Sequence, residues 1–192
     1  MKSIKILFPL TAVIVAIALF MYVRSKVNES KGLPELYEVP AFEYTDQFGE
    51  RITNDVFKDH ISVVDFIFTN CPGLCPMMAS RMTRFYDDYE NDPSVRFISF
   101  SVDPARDSLA AIKEYAQRYE ANDKRWLFLR TDSTINAFYE HGFKLGGELP
   151  RGHSGAFILV DQNGIIRGYY DSNLPSQLEA LNEALQRLRK EL

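Results

Sequence analysis

Apolar residues along this 192-residue chain follow three patterns. One is unbroken. Ile6–Val23 (ILFPLTAVIVAIALFMYV) holds 18 residues without a charge. A helix of that length spans about 27 Å, just enough for a bilayer core. A second pattern is continuous but short. Ile61–Phe68 (ISVVDFIF) and Val95–Val102 (VRFISFSV) are rich in β-branched and aromatic residues, as suits central strands covered on both faces. The third recurs at helical spacing. Met78, Met82, Phe85 and Tyr89 predict one helix, with Pro76 in its first turn. Leu109, Ile112, Ala116 and Tyr119 predict another, capped by Asp107. A third helix runs from an Asp132 or Ser133 cap through Phe143. The last carries Leu178, Leu181, Leu185, Leu188 and Leu192 on one face, behind a Ser176–Glu179 capping box.

Turn chemistry fills the gaps. Phe42–Ile52 reads as a hairpin around Asp46-Gln47-Phe48-Gly49, and Trp126–Leu129 as a short strand. Gly146–Gly152 is a loop with three glycines and a proline. Ala156–Val160 and Ile165–Tyr170 form a hairpin around Gln162-Asn163-Gly164. Strands alternating with helices, then a hairpin and a helix, imply an α/β fold: a mixed sheet with helices on both faces. Both cysteines, Cys71 and Cys75, follow the first central strand and enter a helix. That is the thioredoxin arrangement.

The apolar stretch divides the chain into an anchor (residues 1–26), a tether (27–38, including the polar Asn28–Gly32) and a thioredoxin-like domain (39–192). A cleaved signal peptide competes with an uncleaved anchor. Its apolar region would be shorter, and no small-x-small site follows Val23. No cysteine follows the run, which argues against a lipidated N-terminus. Lys2 and Lys5 precede the segment, while Arg24, Lys26 and Lys31 follow it, so the positive charges do not set its orientation. Export of the domain is expected from the chemistry of its site instead. A net charge of -4 leaves no basic footprint for nucleic acid. With 46% apolar residues the chain can fill a core.

The chemistry centres on FIFTNCPGLCPMM. Two thiols four positions apart can close a disulfide, bind a soft metal or do both. A bridge across so short a loop stabilises weakly, so a purely structural disulfide is the weaker reading. A helix N-terminus favours the thiolate that attacks disulfides and binds metal. Of three histidines, His60 precedes the central strand at the end away from the cysteines, and His141 lies on a helix. His153 ends the glycine-rich loop just before a strand, a loop that in a thioredoxin layout faces the cysteine pair. Two thiolates and an imidazole suit copper, Cu(I) through sulfur and Cu(II) through nitrogen. Zinc would want a fourth ligand. Met77 and Met78 are further soft donors, with Met78 at core spacing. Asp103, Arg106 and Asp107 in SVDPARDS fall at the same sheet edge, either as turn and cap residues or as residues that back the site's ligands or form a docking surface.

FIFTNCPGLCPMM, SVDPARDS, WLFLRTD and GHSGAFILVDQNG, in that order, resemble the Sco (SenC) proteins over roughly Val39–Leu188. These are membrane-anchored, thioredoxin-like copper-binding proteins. The resemblance implies copper ligands at Cys71, Cys75 and His153, one copper per chain, and places the family's DPxRD aspartate at Asp103. It implies a metallochaperone that delivers copper to the dinuclear copper centre of cytochrome c oxidase. The partners it implies are that oxidase subunit, another copper chaperone and a thiol reductant. The alternatives are a thiol–disulfide oxidoreductase using Cys71 and Cys75 as its redox pair, and a redox or copper sensor. The expected location is the bacterial inner membrane with the domain in the periplasm, or the mitochondrial inner membrane facing the intermembrane space. Gly152 stands where members often have aspartate, and Arg130 where a small residue is common. His153-Ser154 occupies the place of the thioredoxin cis-proline.

Overall fold

A computed structural model describes residues 13–23 and 32–192. Residues 13–23 are helical and exposed throughout. The rest of the expected anchor and the first part of the tether lie outside the described residues. Among those described, no helix is long and apolar enough to cross a membrane. Leu33–Leu192 forms a unit of its own.

In that unit eight strands make one mixed sheet, in the order β1-β8-β7-β4-β5-β6-β2-β3. The strands are β1 (Tyr37–Glu38), β2 (Glu43–Asp46), β3 (Arg51–Thr53), β4 (Ile61–Ile67), β5 (Val95–Ser101), β6 (Trp126–Arg130), β7 (Ala156–Val160) and β8 (Ile165–Asp171). β4 is buried at every position, as its unbroken apolar run requires of a strand covered on both faces. It pairs in parallel with β5 and antiparallel with β7. The expected β2–β3 hairpin forms, but at the far edge, where β2 pairs with β6. Residues 33–38 run along β8 at the other edge. There Arg167, itself buried, donates to the Leu33 and Pro34 carbonyls and to Asp161 Oδ2 at 2.7 Å.

Helix α1 (Leu74–Asp88) turns Cys75, Met78, Ala79, Met82, Phe85 and Tyr86 inward. Phe85 meets Phe157, and Tyr86 meets Phe97 and Trp126. Tyr115 of α2 (Leu109–Arg118) packs on Phe128 of the same sheet face. The opposite face is closed by α3 (Ile135–Ala137) and the wide turn Phe138–Gly142 that extends it. Phe42, Phe66, Phe100, Phe138, Tyr139 and Phe143 interlock there at edge-to-face angles. Such pairs add about 0.5–1.5 kcal/mol each beyond area burial. Helix α4 (Pro175–Leu188) lies beside α1, tied by Tyr89 Oη donating to Asn182 Oδ1.

Several expected helix details differ. Ser108, not Asp107, caps α2 by accepting from Ala111 N. Leu109 is exposed, because Ile112, Tyr115 and Ala116 form the inner stripe. Pro175 opens α4 and no side chain caps it, so Ser176 and Glu179 make no capping box. Leu192 lies past the helix and is exposed, while Leu181, Leu185 and Leu188 are buried. Asp132 does accept from Thr134 N and Oγ1 just before α3.

Candidate metal centre

Strand register brings the site together. Ile67 of β4 lies opposite Ser101 of β5, so the chain leaves both strands at one edge. β7 runs against β4 with Ile158 opposite Val64, so the chain enters β7 from that same edge. The cysteine loop, the turn after β5 and the His153 loop therefore meet at the carboxyl ends of the central strands. Open α/β sheets hold their ligands there.

Cys71 is partly exposed, Cys75 is fully buried, and both thiols are free. One ligand atom each from Cys71, Cys75 and His153 lie within 4.8 Å of one another. Cys75 Sγ is 3.2 Å from His153 Nε2. The other ring nitrogen, Nδ1, is 3.1 Å from the Ser154 carbonyl oxygen. A carbonyl only accepts, so Nδ1 carries the proton and Nε2 offers its lone pair to the cysteines. Metal-binding imidazoles are held this way. The Phe68 ring stands edge-on to the imidazole, with centroids 5.6 Å apart.

The two sulfurs are not equivalent. Burial opposes the Cys71 thiolate, but the N–H groups of Cys75, Gly73 and Leu74 outweigh it and hold Cys71 below the ordinary thiol value. Cys75 N–H donates to Cys71 Sγ at 3.4 Å. Burial pushes the Cys75 thiol well up, and the Cys71 sulfur beside it adds to the effect; a donated bond from Phe68 N only partly offsets this. Burial also lowers His153, which favours the neutral ring. The set is one accessible sulfur poised to ionise, one buried protonated thiol and one neutral imidazole. Uptake of a thiolate-bound metal must therefore release the Cys75 proton.

Three supports hold these groups. Asp107 is fully buried and accepts from Thr69 N, Thr69 Oγ1 and Ser101 Oγ, the hydroxyl bonds measuring 2.7 and 2.6 Å. It ties the cysteine loop to the end of β5. Tyr139 Oη accepts from Ser154 N at 2.6 Å and donates to the Gly146 carbonyl, pinning both ends of the histidine loop. The loop itself closes through Gly152 N–H donating to Glu148 O. A Cβ at Gly152 would stand 2.7 Å from Glu148 N, and one at Gly147 (φ +123°) 1.8 Å from Gly152 O. The glycine that departs from the family's aspartate is thus demanded by the close approach of this turn.

Of the residues expected near the site, Asp103 is buried but pairs with Arg106 Nε at 2.5 Å. It is Asp107 that reaches the cysteine loop. Of the two roles the sequence leaves open for Asp107, helix cap or support of the site, the structure shows the second; Thr69 and Tyr139 carry no sequence signal, because their partners lie 38 and 15 residues away. His60 accepts from Arg96 at the other end of the sheet, and His141 is exposed on the turn after α3. Neither joins the site. Met78 is core, and Arg130 is exposed at the end of β6.

Fold and site together define a thioredoxin-like protein with a Cys–Cys–His set able to hold a soft metal. The SCO1/SenC family model matches residues 31–190, and the chain belongs to that family. The SCO1 protein homolog of Bacillus subtilis (strain 168) is 34% identical over 145 residues, 71% of this chain and 75% of that protein. BsSco is described as a member of the Sco family of cytochrome c oxidase assembly proteins, with a disulfide switch. Its structure is 29% identical, has a TM-score of 0.71, and covers 82% of this chain and 98% of its own. Bradyrhizobium japonicum ScoI, solved with copper bound, shares the fold at a TM-score of 0.60 and 23% identity, over 82% of this chain and 100% of its own.

Proposed function

We propose that this chain is a copper metallochaperone. Cys71, Cys75 and His153 hold one copper as cargo and pass it by ligand exchange to the copper-centre subunit of cytochrome c oxidase. The observation that carries this is the convergence of the three ligand atoms within 4.8 Å, with Nε2 of His153 already turned inward. Two sulfurs and one nitrogen leave a Cu(I) ion without a fourth protein ligand, so a partner's donor has room to enter before one of these leaves. The apolar stretch Ile6–Val23 anchors the protein in the bacterial inner membrane, with the domain in the periplasm. A copper chaperone or thiol reductant supplies it there.

Unequal burial of the two sulfurs supports a second reading, a thiol–disulfide oxidoreductase with Cys71 attacking and Cys75 resolving. Metal titration of the reduced protein separates the two. Copper retained at one equivalent, and weakened by His153→Ala, supports the chaperone. Rapid disulfide exchange indifferent to His153, with no copper retained, supports the reductase.

A further inference from the structure

A pocket of about 580 Å³ opens directly onto the exposed sulfur. Cys71, Asn70 and His153 line it, and Phe68 and Leu74 add apolar surface. Its charge is one-sided. The chain as a whole carries 26 acidic against 22 basic side chains, yet Arg106 and Arg151 line this pocket and no acidic residue does. Arg106 is about half exposed and gives only its Nε to Asp103. Its two terminal nitrogens have no partner among the described residues, and neither does the exposed Arg151. Cysteine access is equally one-sided: Cys75 is buried in the first turn of α1 and does not line the pocket, so a sulfur entering the pocket meets Cys71.

We propose that this pocket is a binding site for a small carboxylate-bearing thiol of di- or tripeptide size. Its carboxylates pair with Arg106 and Arg151, and its sulfur lies against Cys71. The volume falls within the range of small-molecule sites, and two guanidinium forks match planar carboxylates. The inference rests on the thiol–disulfide reading above, to which it adds a ligand class, and does not depend on copper binding.

The chemistry such a site supports is thiol–disulfide exchange. When the ligand arrives as its symmetric disulfide, Cys71 Sγ attacks one of its sulfurs. A Cys71–ligand S–S bond forms, the ligand's own S–S bond breaks, and the released half takes up a proton as free thiol. Cys75 then attacks Cys71 Sγ, closing the Cys71–Cys75 disulfide and releasing the second half as thiol. The ligand disulfide is thereby reduced to two thiols and the cysteine pair is oxidised. Run in reverse, two molecules of the free thiol reopen the Cys71–Cys75 bridge and return the pair to the reduced state.

The test follows the mixed disulfide by intact mass on the metal-free Cys75→Ser protein, where exchange stops at Cys71. Oxidised glutathione (carboxylates on each half) is compared with bis(2-hydroxyethyl) disulfide (neutral) and cystamine (cationic). Oxidised glutathione should react fastest at low salt, and its advantage should fall as salt rises. Arg106→Gln and Arg151→Gln should each cut the glutathione rate about fivefold, the scale of one exposed charge pair, with the neutral disulfide unchanged. Arg151 has no bond within the described residues, so its substitution probes the pocket without touching the fold. Equal rates for all three disulfides, or a glutathione preference that survives both substitutions, overturns the proposal. An acidic cysteine peptide of about ten residues, offered as its own disulfide, separates a protein segment from a small thiol. If it outpaces oxidised glutathione, the small-thiol assignment fails.

Discussion

Replacing Asp107 by alanine removes the shared acceptor of Thr69 N, Thr69 Oγ1 and Ser101 Oγ, all at a fully buried carboxylate. Two readings of this residue differ in size. As a helix cap it would be worth about 1 kcal/mol, the usual cost of a lost N-cap. As a buried tie it is worth more. Each orphaned buried donor costs about 1–3 kcal/mol. The Thr69 and Ser101 hydroxyls can rotate toward other acceptors, but the Thr69 N–H cannot. The expected loss is therefore about 3 kcal/mol rather than the sum of three bonds. For a domain of this size that lowers Tm by about 6–12 °C. Ser108→Ala, which removes the real cap of α2, should lower it by only about 2–4 °C. Thermal unfolding of both variants beside the parent makes the comparison. Equal shifts, or a larger one for Ser108→Ala, would refute the assignment of Asp107 to the cysteine loop.

Other residues yield separate expectations. Tyr139→Phe keeps the ring but removes the hydroxyl that receives Ser154 N–H, so copper affinity should fall about tenfold with little change in Tm; an unchanged affinity would detach Tyr139 from the site. Arg167→Met leaves Asp161 buried without its cation and frees the Leu33 and Pro34 carbonyls. Urea unfolding should show a loss of about 3–5 kcal/mol, and an unaltered midpoint would contradict the clamp. Burial raises the Asp65 carboxyl to about 7, with the Ser99 hydroxyl opposing only weakly; neither carboxylate oxygen has a hydrogen bond in good geometry. A carboxyl raised in the folded state favours folding while protonated. Its contribution is full below the unfolded carboxyl value and is lost as pH rises toward about 7. Asp65→Asn should remove that decline, gaining up to about 4 kcal/mol at pH 8 but little at pH 4; a parallel pH profile would sink the argument.

Local pattern carried much of the fold. β4 and β5 were legible because strands buried on both faces need unbroken apolar runs, and α1 because Met78, Met82 and Phe85 repeat at helical spacing. Cys71, Cys75 and His153 were legible as soft donors at a strand end and a loop end, and strand register brings them together. Tertiary choice was not legible. Asp107 and Ser108 are adjacent and both able to cap, and only the presence of Thr69, 38 residues upstream, decides between them. The place of the β2–β3 hairpin beside β6, at the far edge of the sheet, likewise rests on long-range pairing that no local pattern encodes. Tyr139 carries no motif at all; its hydroxyl matters because the wide turn after α3 aims it at Ser154.

The central claim is that Cys71, Cys75 and His153 act as one copper site. Its most direct test is titration of the reduced, metal-free protein with Cu(I) against a competing chelator, beside Cys71→Ser, Cys75→Ser and His153→Ala. The account predicts about one equivalent bound per chain, loss of tight binding in each cysteine variant, weakened binding in His153→Ala, and no uptake once Cys71 and Cys75 are joined by a disulfide. Copper bound equally well by the His153→Ala protein, or by the oxidised protein, would contradict it.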